Sequence, residues 1–71
     1  MKREILDGIK WRLETAINAG TPVWTSWCDC EEEINCNCKN DNRAFLEGDV
    51  IRLTDSFGFE EHYSFQTLER I

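Results

Sequence analysis

Through the first twenty positions apolar residues recur at helical spacing. Ile5, Ile9, Leu13, Ala16 and Ile17, with Leu6 at the border, fall on one stripe, and Gly20 and Pro22 end the pattern, so residues 2–19 are predicted to form an amphipathic helix. Gly8 interrupts that helix at a cost of about 1 kcal/mol relative to alanine. The expected reason is a strand packed close against it. Trp11 falls outside the stripe: at about 100° per residue it points away from the apolar centre, among Asp7, Glu14 and Asn18. It is either covered by another segment of the domain or exposed as an aromatic anchor for a partner.

At Val23 the period changes to two. In Val23 to Cys30, VWTSWCDC, β-branched and aromatic residues alternate with small polar ones, which predicts a strand with Trp24, Ser26, Cys28 and Cys30 on one side and Val23, Thr25, Trp27 and Asp29 on the other. EEEIN follows as a loop, Cys36 to Cys38 as a short returning strand, and KNDNR as a turn. Ala44 to Leu46 reads as a brief apolar stretch before Gly48. VIRLT and FEEHY then flank DSFG, a hairpin pattern in which Ile51, Leu53, Phe59 and Tyr63 face the core. Ser64 is placed to cap a last helical turn, FQTLER, with Phe65 and Leu68 packing back at i, i+3 spacing. The expected fold is a single α+β domain over residues 1–71: an N-terminal amphipathic helix on an antiparallel sheet of three or four strands, with a four-cysteine hairpin and a short C-terminal helical turn.

Size changes this picture by making the core marginal. A chain of 71 residues buries only about 60% of the surface its unfolded state exposes, so a covalent or metal staple is useful. The apolar content, 41% with three Trp, four Phe and one Tyr, still suffices for a compact core and is too high for a disordered chain.

Four cysteines supply the candidate staple. Cys28, Cys30, Cys36 and Cys38 lie within eleven residues as two C-x-C arms separated by five positions. In a hairpin closed by EEEIN both cysteines of each arm share a face, so four sulfurs can converge at the spacing a tetrahedral zinc needs, about 2.3 Å from metal to sulfur. Two cross-strand disulfides fit less well, because opposed strand residues hold their Cβ atoms about 4.5–5.5 Å apart and a disulfide prefers about 3.8 Å. Structural zinc more often uses C-x2-C arms, and free thiols, disulfides, copper(I) and an iron–sulfur cluster are the other readings of the same residues. The amphipathic, charged N-terminus has no apolar signal region, and no segment has the ~20 apolar residues of a membrane span, so a reducing cytosolic location is expected, which favours metal over disulfide.

Charge narrows the partners. The net formal charge is −6, and it is uneven: Lys2, Arg3, Lys10 and Arg12 outnumber the acids of the first twenty residues by one, whereas the rest of the chain sets four cations against eleven carboxylates. Such a chain repels phosphate backbones and anionic membranes and favours a protein partner with a basic surface. No catalytic constellation accompanies this. His62 is the one histidine and lies out of phase with the core face of its strand, and no phosphate-cradling glycine loop, nucleophile elbow or zinc-protease motif occurs. A redox role is disfavoured because Asp29, Glu31, Glu32 and Glu33 raise thiol pKa values.

The expected function is therefore that of a non-enzymatic protein-binding module, a regulator or inhibitor, stabilised by one structural zinc and touching its partner through Trp11, Trp24, Trp27 or the acidic run Asp29, Glu31, Glu32 and Glu33. In its shortness and acidity the chain resembles accessory proteins encoded by phages and mobile elements, a likeness of style that no motif carries. One alternative is a nucleic-acid mimic that inhibits a DNA- or RNA-binding enzyme, since zinc held by four thiolates adds two further negative charges beside that acidic run. A zinc-ribbon nucleic-acid binder is the other, and the absence of a basic stripe argues against it.

Overall fold

The computed structural model describes residues 3–28 and 42–71. Helix α1, Arg3–Ala19, is followed by four strands, β1 Trp24–Ser26, β2 Arg43–Glu47, β3 Val50–Thr54 and β4 Glu60–Ser64. The strands form one antiparallel meander in the order β1-β2-β3-β4. This is an α+β fold with the helix on one face of the sheet.

α1 ends as its sequence dictates. Gly20 adopts φ +71°, its N–H bonds the Ile17 carbonyl at 3.2 Å and the Thr21 N–H bonds the Ala16 carbonyl at 3.1 Å, which is the Schellman pattern of a glycine C-cap. The buried stripe is narrower than the expected one. Leu6, Ile9 and Leu13 are buried, whereas Ile17 is 47% exposed. At about 100° per residue the three buried positions fall within roughly 60° of one another, and Ile17 lies at the edge of that arc in the last turn. Leu6 is thus a core residue and not a border one. Among the described residues no strand lies close beside Gly8: a Cβ built there meets nothing within 4 Å.

On the sheet, alternation delivers Ala44, Ile51, Leu53 and Tyr63 to the helix side, where they join Leu6, Ile9, Leu13 and Leu68 in the core. Ala44 opposes Leu53, and Ile51 opposes Tyr63. The stretch Ala44–Leu46 is the centre of a full strand, and Arg43, expected in a turn, is the first residue of β2. β2 and β3 are joined by Gly48-Asp49 alone, with Glu47 opposite Val50. Gly48 has φ +62° and Asp49 does not enter the positive-φ region, the type II′ pattern that requires glycine at the first central position. β1 is shorter than the expected Val23–Cys30 strand, and its ladder partner is β2. The expected arm Cys36–Cys38 and the EEEIN loop lie outside the described residues.

The β3–β4 turn is organised by Asp55, whose Oδ1 accepts from the N–H groups of Phe57 at 2.8 Å and Phe59 at 2.9 Å, an Asx-type turn. Phe59 is 41% exposed and not a core residue. It belongs to this turn, before β4 begins, so the pleat that carries Glu61 and Tyr63 inward does not reach it. After β4 the chain turns at residues 65–67, with Ser64 Oγ accepting from the Thr67 N–H at 3.3 Å and the Ser64 carbonyl from the Leu68 N–H at 2.8 Å. Leu68 takes φ +63°, a costly conformation for a bulky side chain, and is 5% exposed. That residue reverses the chain so that Arg70 pairs with Tyr63 along the outer edge of β4.

Candidate functional site

β1 and β2 are adjacent antiparallel strands, and the connection between them is the segment that holds all four cysteines. The ladder runs to Ser26 opposite Arg43, and the Trp27 N–H then bonds the Asn42 carbonyl at 3.2 Å. Both ends of the cysteine segment are therefore tied together by backbone pairing, with Asn42 buried at 8% exposure. Cys28 stands at the root of the segment, partly buried. Cys30, Cys36 and Cys38 lie outside the described residues, as do Asp29, Glu31, Glu32 and Glu33. Among the described residues no three His, Cys, Asp or Glu side chains come together as a metal site.

The three tryptophans do not form one patch. Trp24 is on the helix-free face of the sheet, 45% exposed, opposite Phe45. Arg43 stacks its guanidinium 5.3 Å from the Trp24 ring centre, and Arg52 does the same over Phe45 at 5.2 Å, so cations cover much of this aromatic pair. Trp27 turns the other way. It packs against the core, and its indole Nε1 donates to the Arg43 carbonyl at 3.0 Å, which makes it a wedge under the start of β2.

Trp11 is different. It is 67% exposed, on the side of α1 opposite Leu6, Ile9 and Leu13. Its nearest neighbours in sequence are cations, yet both lean away. Lys10 Nζ donates to the Gln66 carbonyl at 3.2 Å and lies 5.4 Å from the Phe65 ring centre. Arg12 Nη1 donates to the Ser26 carbonyl at 3.4 Å. At about 100° per residue, Glu4, Asp7 and Glu14 fall within roughly 60° of Trp11, and all three are exposed. Sequence reasoning placed the acids but not the tethers, because Gln66 and Ser26 reach the helix only through the folded sheet.

The remaining polar cluster ties the C-terminus down. Glu61 points to the core side with its side chain 13% exposed, and Arg70 Nη2 lies 3.5 Å from Glu61 Oε1. Tyr63 donates its hydroxyl proton to Glu61 Oε2 at 2.5 Å. Burial, that hydrogen bond and the carboxylate charge raise the Tyr63 pKa above its ordinary 10.0, against a smaller opposing effect of Arg70. A raised folded value means that the stability linked to Tyr63 is fully present below pH 10 and lost as pH rises through the folded pKa. Since the chain has one tyrosine, tyrosinate absorbance should titrate above pH 10 in the folded protein and shift down toward 10 on unfolding.

His62 lies on the outer face, with Nε2 3.7 Å from Glu60 Oε1. Among the described residues no helix is long and apolar enough to cross a membrane. No family model, curated protein or solved structure matches the chain.

Proposed function

We propose that this chain is a non-enzymatic protein-binding module, a regulator or inhibitor, in which Cys28, Cys30, Cys36 and Cys38 hold one structural zinc. The zinc reading is supported by topology. Four thiols in a connection whose ends are tied by the Trp27–Asn42 bond start from a confined loop, which lowers the entropy of gathering them. A closed four-thiolate site leaves no coordination position for water or substrate, so its role is folding. Cytoplasmic residence, which keeps such thiols reduced, belongs to the same proposal.

The observation that carries the binding reading is the exposure of Trp11, 67% in a helix whose apolar residues otherwise face inward or edgewise. Tryptophan is enriched in binding hot spots, and the surrounding carboxylates favour a partner with a basic surface. Trp11→Ala is the test. Its melting midpoint should stay close to wild type, since exposed substitutions fall within about 0.5 kcal/mol, while partner binding is lost; a large loss of stability would end the interface reading. Nucleic-acid mimicry through Asp29, Glu31, Glu32 and Glu33 is the competing proposal.

A further inference from the structure

Among the described residues nothing explains Gly8. A glycine in an exposed helix interior costs about 1 kcal/mol relative to alanine, and such a residue is ordinarily kept for a positive φ or a close neighbour. Gly8 has neither: it lies in the body of α1, its φ is not positive, and among the described residues nothing beyond the neighbouring helix backbone stands within 4 Å of the position its Cβ would take. One turn along the same side of the helix stands Trp11. The pair makes a step and a knob, a half-buried glycine beside the most exposed tryptophan of the chain.

The charge around this pair is one-sided. Glu4, Asp7 and Glu14 are exposed about it, and Lys10 and Arg12 are drawn off to Gln66 and Ser26 on opposite flanks. Arg3, at the helix start, lies 3.9 Å from Asp7 with both side chains more than 60% exposed, a contact worth little. From Glu4 to Glu14 the ridge runs about 15 Å along the helix.

We infer that the outer face of α1 docks in a partner protein's groove that has an apolar pocket for Trp11, a ridge that closes against Gly8 and a rim of Lys and Arg facing Glu4, Asp7 and Glu14. This rests on the protein-binding reading and names the surface that performs it. A second copy of this chain meeting the first ridge to ridge is disfavoured, because it would set carboxylates against carboxylates. Apolar contact at Trp11 supplies affinity, and the carboxylates supply orientation and on-rate.

The test uses a displayed library of folded two-helix peptides with a randomised surface groove, selected against the intact folded protein, with an unrelated acidic protein as control. Enriched peptides are synthesised and titrated against wild type and four variants: Trp11→Ala, Gly8→Ala, the triple change Glu4→Lys, Asp7→Lys and Glu14→Lys, and the triple change Glu31→Lys, Glu32→Lys and Glu33→Lys. The expected peptides combine Lys or Arg with large apolar residues. Their affinity should fall roughly 30-fold or more with Trp11→Ala and comparably with the helix triple change, weaken with added salt, and persist in the Glu31–Glu33 variant. Gly8→Ala is the sharpest arm: it should raise the melting midpoint by about 4–8 °C and weaken binding several-fold. Peptides that bind every helix variant as well as wild type would overturn this surface and leave protein binding standing. Loss of binding only in the Glu31–Glu33 variant would overturn it in favour of mimicry. No enrichment above the acidic control would count against both the surface and the protein-binding reading.

Discussion

Leu13→Ala is expected to remove about 2–5 kcal/mol of stability, the usual cost of emptying a filled core site. Leu13 is fully buried between α1 and the sheet, in a cluster with Ala44, Ile51 and Leu53 that has no solvent exposure at all. A 71-residue domain at ordinary stability per residue has roughly 4–11 kcal/mol in total. The substitution should therefore lower the melting midpoint by about 10 °C or more. Ile17→Ala is the matched control: it belongs to the same sequence stripe, yet at 47% exposure it should cost under about 1 kcal/mol. Comparable losses at the two positions by thermal or denaturant melting would contradict the narrower buried stripe.

The second large effect is expected on metal removal. Structural zinc contributes roughly 10 kcal/mol or more to folding in small domains, as much as this chain has in total. Protein exhaustively dialysed against a chelator under reducing conditions should lose its cooperative melting transition and regain it when zinc is restored, whereas magnesium should not substitute. Wild-type melting after verified metal loss would show that the helix and sheet carry the fold unaided.

What the sequence made legible was local. The Gly20 stop and the DSFG turn each depend on a few neighbouring residues, and each occurs where those residues stand. β2 was harder. In RAFLE the two core-facing residues are Ala44 and Leu46, and the outward ones include Phe45, so alternation is blurred by an aromatic on the outer face that Arg52 covers. The usable signal was Gly48-Asp49, a two-residue link of the type that joins hairpin strands, placed directly before VIRLT. Phe59 misled because it is in phase with Tyr63 while lying outside the ladder. The orientation of Trp11 followed from helical geometry, but the diversion of Lys10 and Arg12 could not, since their acceptors lie 56 and 14 residues away.

The central claim, that four cysteines hold one structural zinc, is tested most directly by elemental analysis of purified, reduced, full-length protein combined with titration of reactive thiols. The account predicts about one zinc per chain, thiols that react slowly until metal is removed, and loss of the metal when Cys28, Cys30, Cys36 and Cys38 are replaced by serine. Folded protein that carries no stoichiometric metal and presents four freely titrating thiols would contradict it.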